Sequence, residues 1–132
     1  MSHELGMKAV LSTSFDDAIE KTTLALKAEG FGVLTRIDVD STFKEKLNAD
    51  FRRYVILGAC NPPLAHRALS ANADVGLLLP CNVTVQEENG QITVTAVDPE
   101  QMLSALRAEA EIAAVAAEAK TRLQRMVASL KD

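Results

Sequence analysis

Asn89 and Gly90 stand between two stretches in which apolar and polar side chains alternate, and this pattern constrains the fold more than any other part of the chain. An Asn-Gly pair is typical of a two-residue type I′ turn, because both residues tolerate a positive φ angle. Pairing Glu88 with Gln91 brings the apolar residues of the two stretches into phase, as a half-buried sheet requires. The facing pairs are then Val85 with Val94, Val83 with Ala96, and Thr84 with Thr95. The alternation from 77 to 97 therefore predicts a hairpin lying against a helical layer.

Alternating and apolar stretches predict further strands, and helical spacing with capping residues predicts helices. The predicted strands ahead of the hairpin cover 7–13, 31–39 and 54–60, and the predicted helices begin at Ser14, near Asp40, at Asn61 and after Pro99. The order β-α-β-α-β-α-β-β-α predicts an α+β fold, a two-layer α/β sandwich whose mixed, mostly antiparallel sheet carries its helices on one face. We expect one domain over residues 7–131, with residues 1–6 as a loose N-terminal extension.

Three helix starts carry capping signatures. Ser14 is followed three residues later by Asp17, and Thr42 in the same way by Glu45. These are capping boxes or close variants of them. The Asn61-Pro62 pair combines a favoured N-cap with the residue preferred at the first helical position. In the C-terminal region an apolar stripe predicts one long helix, and it consists of Ile112, Ala116, Ala119, Leu123, Met126 and Leu130.

Charge and composition exclude several classes of function. The 132-residue chain has a formal charge of −4, no Trp and one Tyr, so we expect no nucleic-acid partner. We also expect no membrane partner, because no apolar stretch is long enough to span a bilayer. Two cysteines without an export signal indicate reduced thiols and a cytoplasmic location.

Cys60 and Cys81 are the candidate reactive residues. Cys60 comes just before a predicted helix, where the helix dipole lowers the pKa of a thiol. Cys81 could then act as a resolving thiol or as a second soft metal ligand. The structural alternative is stronger, because the hairpin phase places Cys81 on the buried face together with Leu77 and Leu79, and free cysteine is commonly buried.

The residues around the cysteines form a candidate binding corner, consisting of Asn61, Pro62, His66 and Asn82. An anion could bind the free amides of the predicted helix, although Pro62 and Pro63 remove the first two donors. A rigid strand-to-helix corner is the simpler role. His66 and the two cysteines could supply three zinc ligands, but zinc ligands come in close pairs along a chain and these are scattered. We therefore expect no metal site.

Several stretches together resemble the family labelled domain of unknown function 302. The matching stretches are Ser14–Ile19, Glu29–Val33, Arg36–Asp38, Phe51–Gly58, Ala59–Ala65 and Leu77–Val83, followed by the hairpin and Asp98-Pro99. The resemblance implies a two-layer α/β sandwich that forms a homodimer. It brings no established activity, cofactor or catalytic residue.

Three functions remain open. The favoured one is a non-enzymatic, homodimeric ligand-binding or regulatory module that holds a small molecule near Cys81 and the 60–65 corner, because function gathers on loops held by a rigid scaffold. The alternative is a thiol-based redox or sulfur-transfer protein that uses both cysteines. A third is an assembly role through the C-terminal helix.

Overall fold

Five antiparallel strands form one sheet in the order β1-β5-β4-β3-β2, in a computed structural model that describes residues 4–131. The strands are β1 (Gly6–Leu11), β2 (Gly32–Asp38), β3 (Tyr54–Cys60), β4 (Cys81–Glu88) and β5 (Gln91–Val97). The helices are α1 (Phe15–Ala28), α2 (Val39–Leu47), α3 (Pro62–Ala71), the single turn α4 (Pro99–Met102) and α5 (Ala110–Leu130). Two 3-10 helices, Ala73–Leu78 and Ser104–Leu106, lie between them.

The α+β sandwich with its helices on one face is confirmed. One residue from each of β1, β5, β4 and β3 pairs with a residue on the neighbouring strand, and together these residues form a buried row across the sheet. The row consists of Ala9, Val94, Val85 and Val55. The neighbouring row lies on the opposite face, which is less buried, and runs through Lys8, Thr95, Thr84, Ile56 and Ile37. The sheet was expected to be mixed, but all four strand pairings within residues 4–131 are antiparallel.

The Asn-Gly hairpin forms in the predicted register. Asn89 and Gly90 have φ angles of 51° and 77°, as a type I′ turn requires. Glu88 lies opposite Gln91, and the predicted Val and Thr pairs face each other.

The expected strand between residues 77 and 80 is wrong. Residues 73–78 form a 3-10 helix, whose first turn is capped where the Asn72 Oδ1 accepts a hydrogen bond from the Asp74 backbone N–H at 2.9 Å. Leu77 is consequently 86% exposed instead of buried. The strand begins only at Cys81, because Pro80 has no N–H to donate to a ladder.

Two of the predicted helix caps are confirmed. The Ser14 Oγ accepts a hydrogen bond from the Asp17 N–H at 3.1 Å, and the Asn61 Oδ1 accepts one from the Leu64 N–H at 3.3 Å. Each of these bonds satisfies an amide that has no partner inside its helix.

The second helix forms near Asp40 as predicted, but its predicted capping box is wrong. Helix α2 begins at Val39, with Asp38 as its N-cap residue, and the Asp38 side chain makes no capping hydrogen bond. The Asp40 carboxylate instead accepts a hydrogen bond from the Tyr54 N–H, and the Thr42 hydroxyl donates to the Asp38 carbonyl at 2.9 Å. Both side chains therefore bond to the backbone outside the predicted capping box.

Helix α5 packs its apolar stripe inside its own chain. All six predicted stripe residues are buried, and the helix contacts both α1 and α3. Removing α5 would therefore expose the core. This packing weakens the idea that the stripe serves assembly.

The N-terminal boundary differs slightly from the expectation. Strand β1 begins at Gly6, and the Leu5 carbonyl accepts a hydrogen bond from the Asp98 N–H at 2.8 Å. Two of the six residues expected to form a loose extension are therefore tied to the sheet. Residues 1–3 of that extension lie outside the described residues.

Candidate functional site

The strand-to-helix corner at Asn61 is rigidly bonded. Its side-chain Oδ1 caps α3, and its Nδ2 donates to the Glu29 carbonyl at 3.5 Å. The Arg122 guanidinium donates to the same carbonyl at 3.1 Å. Asn61 is buried and both ends of its amide are engaged, so its observed role is to fix the corner between β3 and α3.

The start of β4 lies beside the end of β3. Cys81 pairs directly with Ala59, and Cys60 is the next residue along β3. The two free cysteines therefore lie on neighbouring strands at the same end of the sheet. Cys81 is 7% exposed, which confirms its predicted burial, and Cys60 is half-buried.

Both cysteines line a cavity of about 270 Å³ between this end of the sheet and the helical layer. Helix α3 contributes its apolar face through Leu64, Ala65, Ala68 and Leu69. Helix α4 contributes Met102, and α5 contributes Val115 and Ala119. Leu34, which lies at a bulge in β2, also lines the cavity and is 67% exposed, so it lies where the cavity opens to solvent.

The cavity is almost entirely apolar. Asn61 is the one lining residue with a nitrogen- or oxygen-bearing side chain, and that amide is already engaged. The remaining lining side chains are hydrocarbon, apart from the sulfur atoms of Cys60, Cys81 and Met102. A volume of 270 Å³ lies near the lower end of the range for small-molecule pockets, and an engineered apolar cavity of about 150 Å³ already binds benzene.

The thiols are less acidic than the helix-dipole argument predicts. Burial raises the pKa of Cys60 above its ordinary value. Burial, with a smaller contribution from Cys60, raises the pKa of Cys81 to about 11. Burial disfavours the charged thiolate, so the expectation of a lowered pKa at Cys60 is wrong.

The other proposed corner residues lie outside the cavity lining. Pro62, His66 and Asn82 are exposed, and none of them contributes to its wall. Within residues 4–131, no three His, Cys, Asp or Glu side chains are grouped so that they could hold a metal ion. No helix in that range is both long enough and apolar enough to cross a bilayer.

The sequence did not predict the cavity-lining residues that come from elements far from the candidate corner. Leu34, Met102 and Val115 lie on β2, α4 and α5, far apart along the chain, and no local motif links them. The apolar face of α3 was the one available signal, because Leu64, Ala65 and Ala68 recur at helical spacing next to the candidate corner.

Comparisons with known proteins agree with the fold. A profile of the family described as "Domain of unknown function DUF302" matches residues 7–130. The crystal structure of an uncharacterized conserved DUF302 protein from Bacillus stearothermophilus is 32% identical in sequence, with a TM-score of 0.89. That similarity covers 98% of this chain and 100% of the other. A search of curated proteins finds no match. The stretch matched by the profile includes every lining residue of the cavity, and it shows that this chain belongs to the DUF302 family.

Proposed function

We propose that this chain is a non-enzymatic module that binds a small apolar molecule in the cavity between α3, α4, α5 and the end of the sheet. The observation that supports the proposal is the lining: the cavity offers hydrocarbon and sulfur but no free nitrogen or oxygen side-chain atom. A polar group placed inside would lose its hydrogen bonds to water without gaining new ones. The ligand therefore carries a hydrocarbon portion inside the cavity and leaves any polar end at the opening near Leu34.

The size of the cavity limits the ligand to one ring or a short chain. The apolar volume exceeds the cavity that holds benzene in an engineered core, but it does not reach the larger pockets that enclose drug-sized molecules. Toluene is therefore a suitable probe. Binding can be followed by NMR through the amide signals of residues that surround the cavity.

A paired substitution on α3 tests the site. Ala65 lines the cavity, whereas Ala71 is exposed on the same helix and does not line it. Ala65→Leu fills the cavity and is expected to weaken toluene binding by about tenfold or more, because the added methyl groups occupy the space of the ligand. Ala71→Leu is expected to bind toluene as the wild type does. The proposal fails if the wild type shows no saturable shifts or if the two variants bind toluene alike.

We further propose that the module works as a cytoplasmic homodimer with a regulatory role. The cytoplasmic part is supported by the two free cysteines, because thiols persist in reducing compartments. The dimer is supported by the family resemblance noted from the motifs. A ligand bound at the junction of sheet and helices could alter how two copies meet, which would give binding a regulatory output.

The alternative, a thiol-based redox or sulfur-transfer protein, has one observation in its favour, namely that Cys60 and Cys81 line the same cavity. It requires a thiolate, whereas burial raises the pKa of both thiols. We expect iodoacetamide to label both cysteines more slowly than free cysteine at neutral pH, with Cys81 the slower of the two. Labelling of either one faster than free cysteine would favour the thiol-based alternative.

A further inference from the structure

The apolar cavity runs along one end of the sheet. Its lining residues come from the start of β2, the end of β3, the start of β4 and the segment that follows β5, and these four strands are neighbours in the sheet. Four neighbouring strands span three spacings of about 4.8 Å, or about 14 Å. Leu34 in β2 lies at one end of this row, and Leu103, which follows α4, lies at the other.

The cavity is therefore long and narrow, and its two ends differ. A volume of about 270 Å³ spread over about 14 Å leaves a mean cross-section of about 19 Å². Leu34 is 67% exposed, whereas Leu103 is 3% exposed. One end thus opens to solvent, and a buried side chain closes the other.

A second, smaller cavity lies behind Leu103. It has a volume of about 170 Å³ and lies between the α4 segment and α5. Its lining residues besides Leu103 are Glu100, Arg107, Ile112, Ala113 and Ala116. Leu103 is the one residue that lines both cavities. The Leu103 side chain therefore stands between the two spaces.

We propose that the ligand is an unbranched aliphatic chain whose polar end lies at Leu34, and that Leu103 sets the longest chain that fits. This inference rests on the apolar binding function proposed above, and it adds the shape of the ligand and a residue that determines specificity. Each methylene buried in the cavity tightens binding by about fourfold until the chain reaches Leu103. A longer chain must then displace that side chain or leave part of its length in water, and both cost affinity.

A series of straight-chain alcohols from butanol to dodecanol tests the length limit. Competition with toluene, followed through the amide NMR signals around the cavity, gives the dissociation constant of each alcohol. For wild type, we expect the affinity to rise by about fourfold for each added carbon atom and then to level off or fall within the series.

Leu103→Ala is expected to move the limit to longer alcohols, because removing the side chain joins the two cavities. The alcohol two carbon atoms beyond the wild-type limit should bind about tenfold more tightly to this variant than to wild type, while butanol binds both alike. Leu106→Ala is the matched control, because Leu106 packs against the core three residues along the chain and lines neither cavity. It should keep the wild-type limit.

A second substitution identifies the space that the longer chain enters. Ala113 lines the second cavity and not the first, so Ala113→Leu fills only the second. Added to Leu103→Ala, it should restore the wild-type limit, whereas alone it should leave that limit unchanged. The wild-type series needs no variant, so the length limit is tested even if Leu103→Ala does not fold.

The inference is overturned if wild-type affinity rises through the whole series, or if Leu103→Ala and Leu106→Ala show the same limit. Toluene separates this failure from failure of the proposed function. If either result occurs while wild type binds toluene and Ala65→Leu does not, only the chain-shaped ligand and the role of Leu103 are refuted. If neither toluene nor any alcohol binds saturably, the apolar site itself is refuted.

Discussion

Burial of the Cys81 thiol makes the stability of the fold depend on pH. Its side chain is 7% exposed, and burial raises its pKa from the ordinary 9.0 to about 11. A raised thiol pKa means that the folded state holds its proton more tightly than the unfolded state does. The protonated Cys81 thiol therefore makes its full contribution to the stability of the folded state below pH 9. This contribution is lost as the pH rises through about 11.

Cys81→Val removes this titration and keeps an apolar side chain of similar size. In reduced protein, we expect the free energy of unfolding of wild type, relative to the variant, to fall by about 2 kcal/mol between pH 9 and about pH 11. Urea unfolding across that range measures it. The relative comparison removes the contribution of lysines that titrate in the same range. A constant difference between the two proteins would show that Cys81 titrates alike in the folded and unfolded chains.

For these individual residues, the sequence predicted the burial of Cys81 correctly but not the pKa of Cys60. The alternation around the hairpin placed Cys81 on the inner face, because side-chain direction follows from strand period alone. The acidity of Cys60 could not be read in the same way. The sequence shows that a helix begins after Cys60. Desolvation of the thiol, however, depends on side chains from distant elements, such as Leu34 and Met102, which only the fold brings to the cavity.

The elements of the fold depend on a few local bonds, and the Asn61 cap of α3 is one of them. Asn61→Ala leaves the Leu64 N–H without its partner and removes the bond to the Glu29 carbonyl. We expect the free energy of unfolding to fall by about 1 to 2 kcal/mol in urea titrations. Asn82→Ala is the matched control, because Asn82 is exposed, and its effect should stay within about 0.5 kcal/mol. Equal effects in the two variants would contradict the capping role.

The hairpin turn between β4 and β5 offers a second test. Gly90 has a φ of +77°, and no atom lies within 4 Å of the position that a Cβ would take, so an alanine there meets backbone strain without a clash. We expect Gly90→Ala to lower the free energy of unfolding by about 1 kcal/mol.

Gly32 in β2 provides the control for that substitution. It has no positive φ and equally open space, so Gly32→Ala should leave stability unchanged or raise it by up to about 1 kcal/mol. Thermal or urea unfolding of both variants measures the difference. A Gly90→Ala protein as stable as wild type would contradict the type I′ geometry.

Local signals predicted most of the elements. The β3 bounds, the Ser14 and Asn61 caps and the hairpin register all follow from residues close together in the chain, so a pattern reveals them. The strand predicted for residues 77–80 was wrong because two local structures compete there. Leu77 fits an alternating pattern, but the Asn72 cap starts a 3-10 helix that ends only at Leu78.

At the scale of the whole molecule, the homodimer remains a prediction that a mass measurement can test. One chain has a mass of 14.2 kDa, so two copies would give about 28 kDa by light scattering or sedimentation. We expect the doubled mass at micromolar concentrations. A single-chain mass at every concentration would contradict the dimer and leave the cavity proposal intact.

The cavity itself could not be predicted from the sequence. Its lining runs from Phe31 to Ala119, and residues such as Leu34 and Val115 meet only when β2 and α5 are both in place. No motif links them, because an apolar side chain that faces a cavity looks the same in the sequence as one that faces a filled core. The sequence therefore identified the Cys60 corner but not the space beside it.

The residues that line the cavity come from most of the chain, so the cavity exists only in the folded state. The unfolded chain therefore has no equivalent binding site for a ligand. By mass action, any occupant must then raise the melting temperature of the domain, with about 2.7 kcal/mol of added stability at a hundredfold excess over the dissociation constant. A thermal-shift screen of small hydrocarbons can therefore be run before the natural ligand is identified. Compounds that shift the wild type but not Ala65→Leu will be those seated in this space.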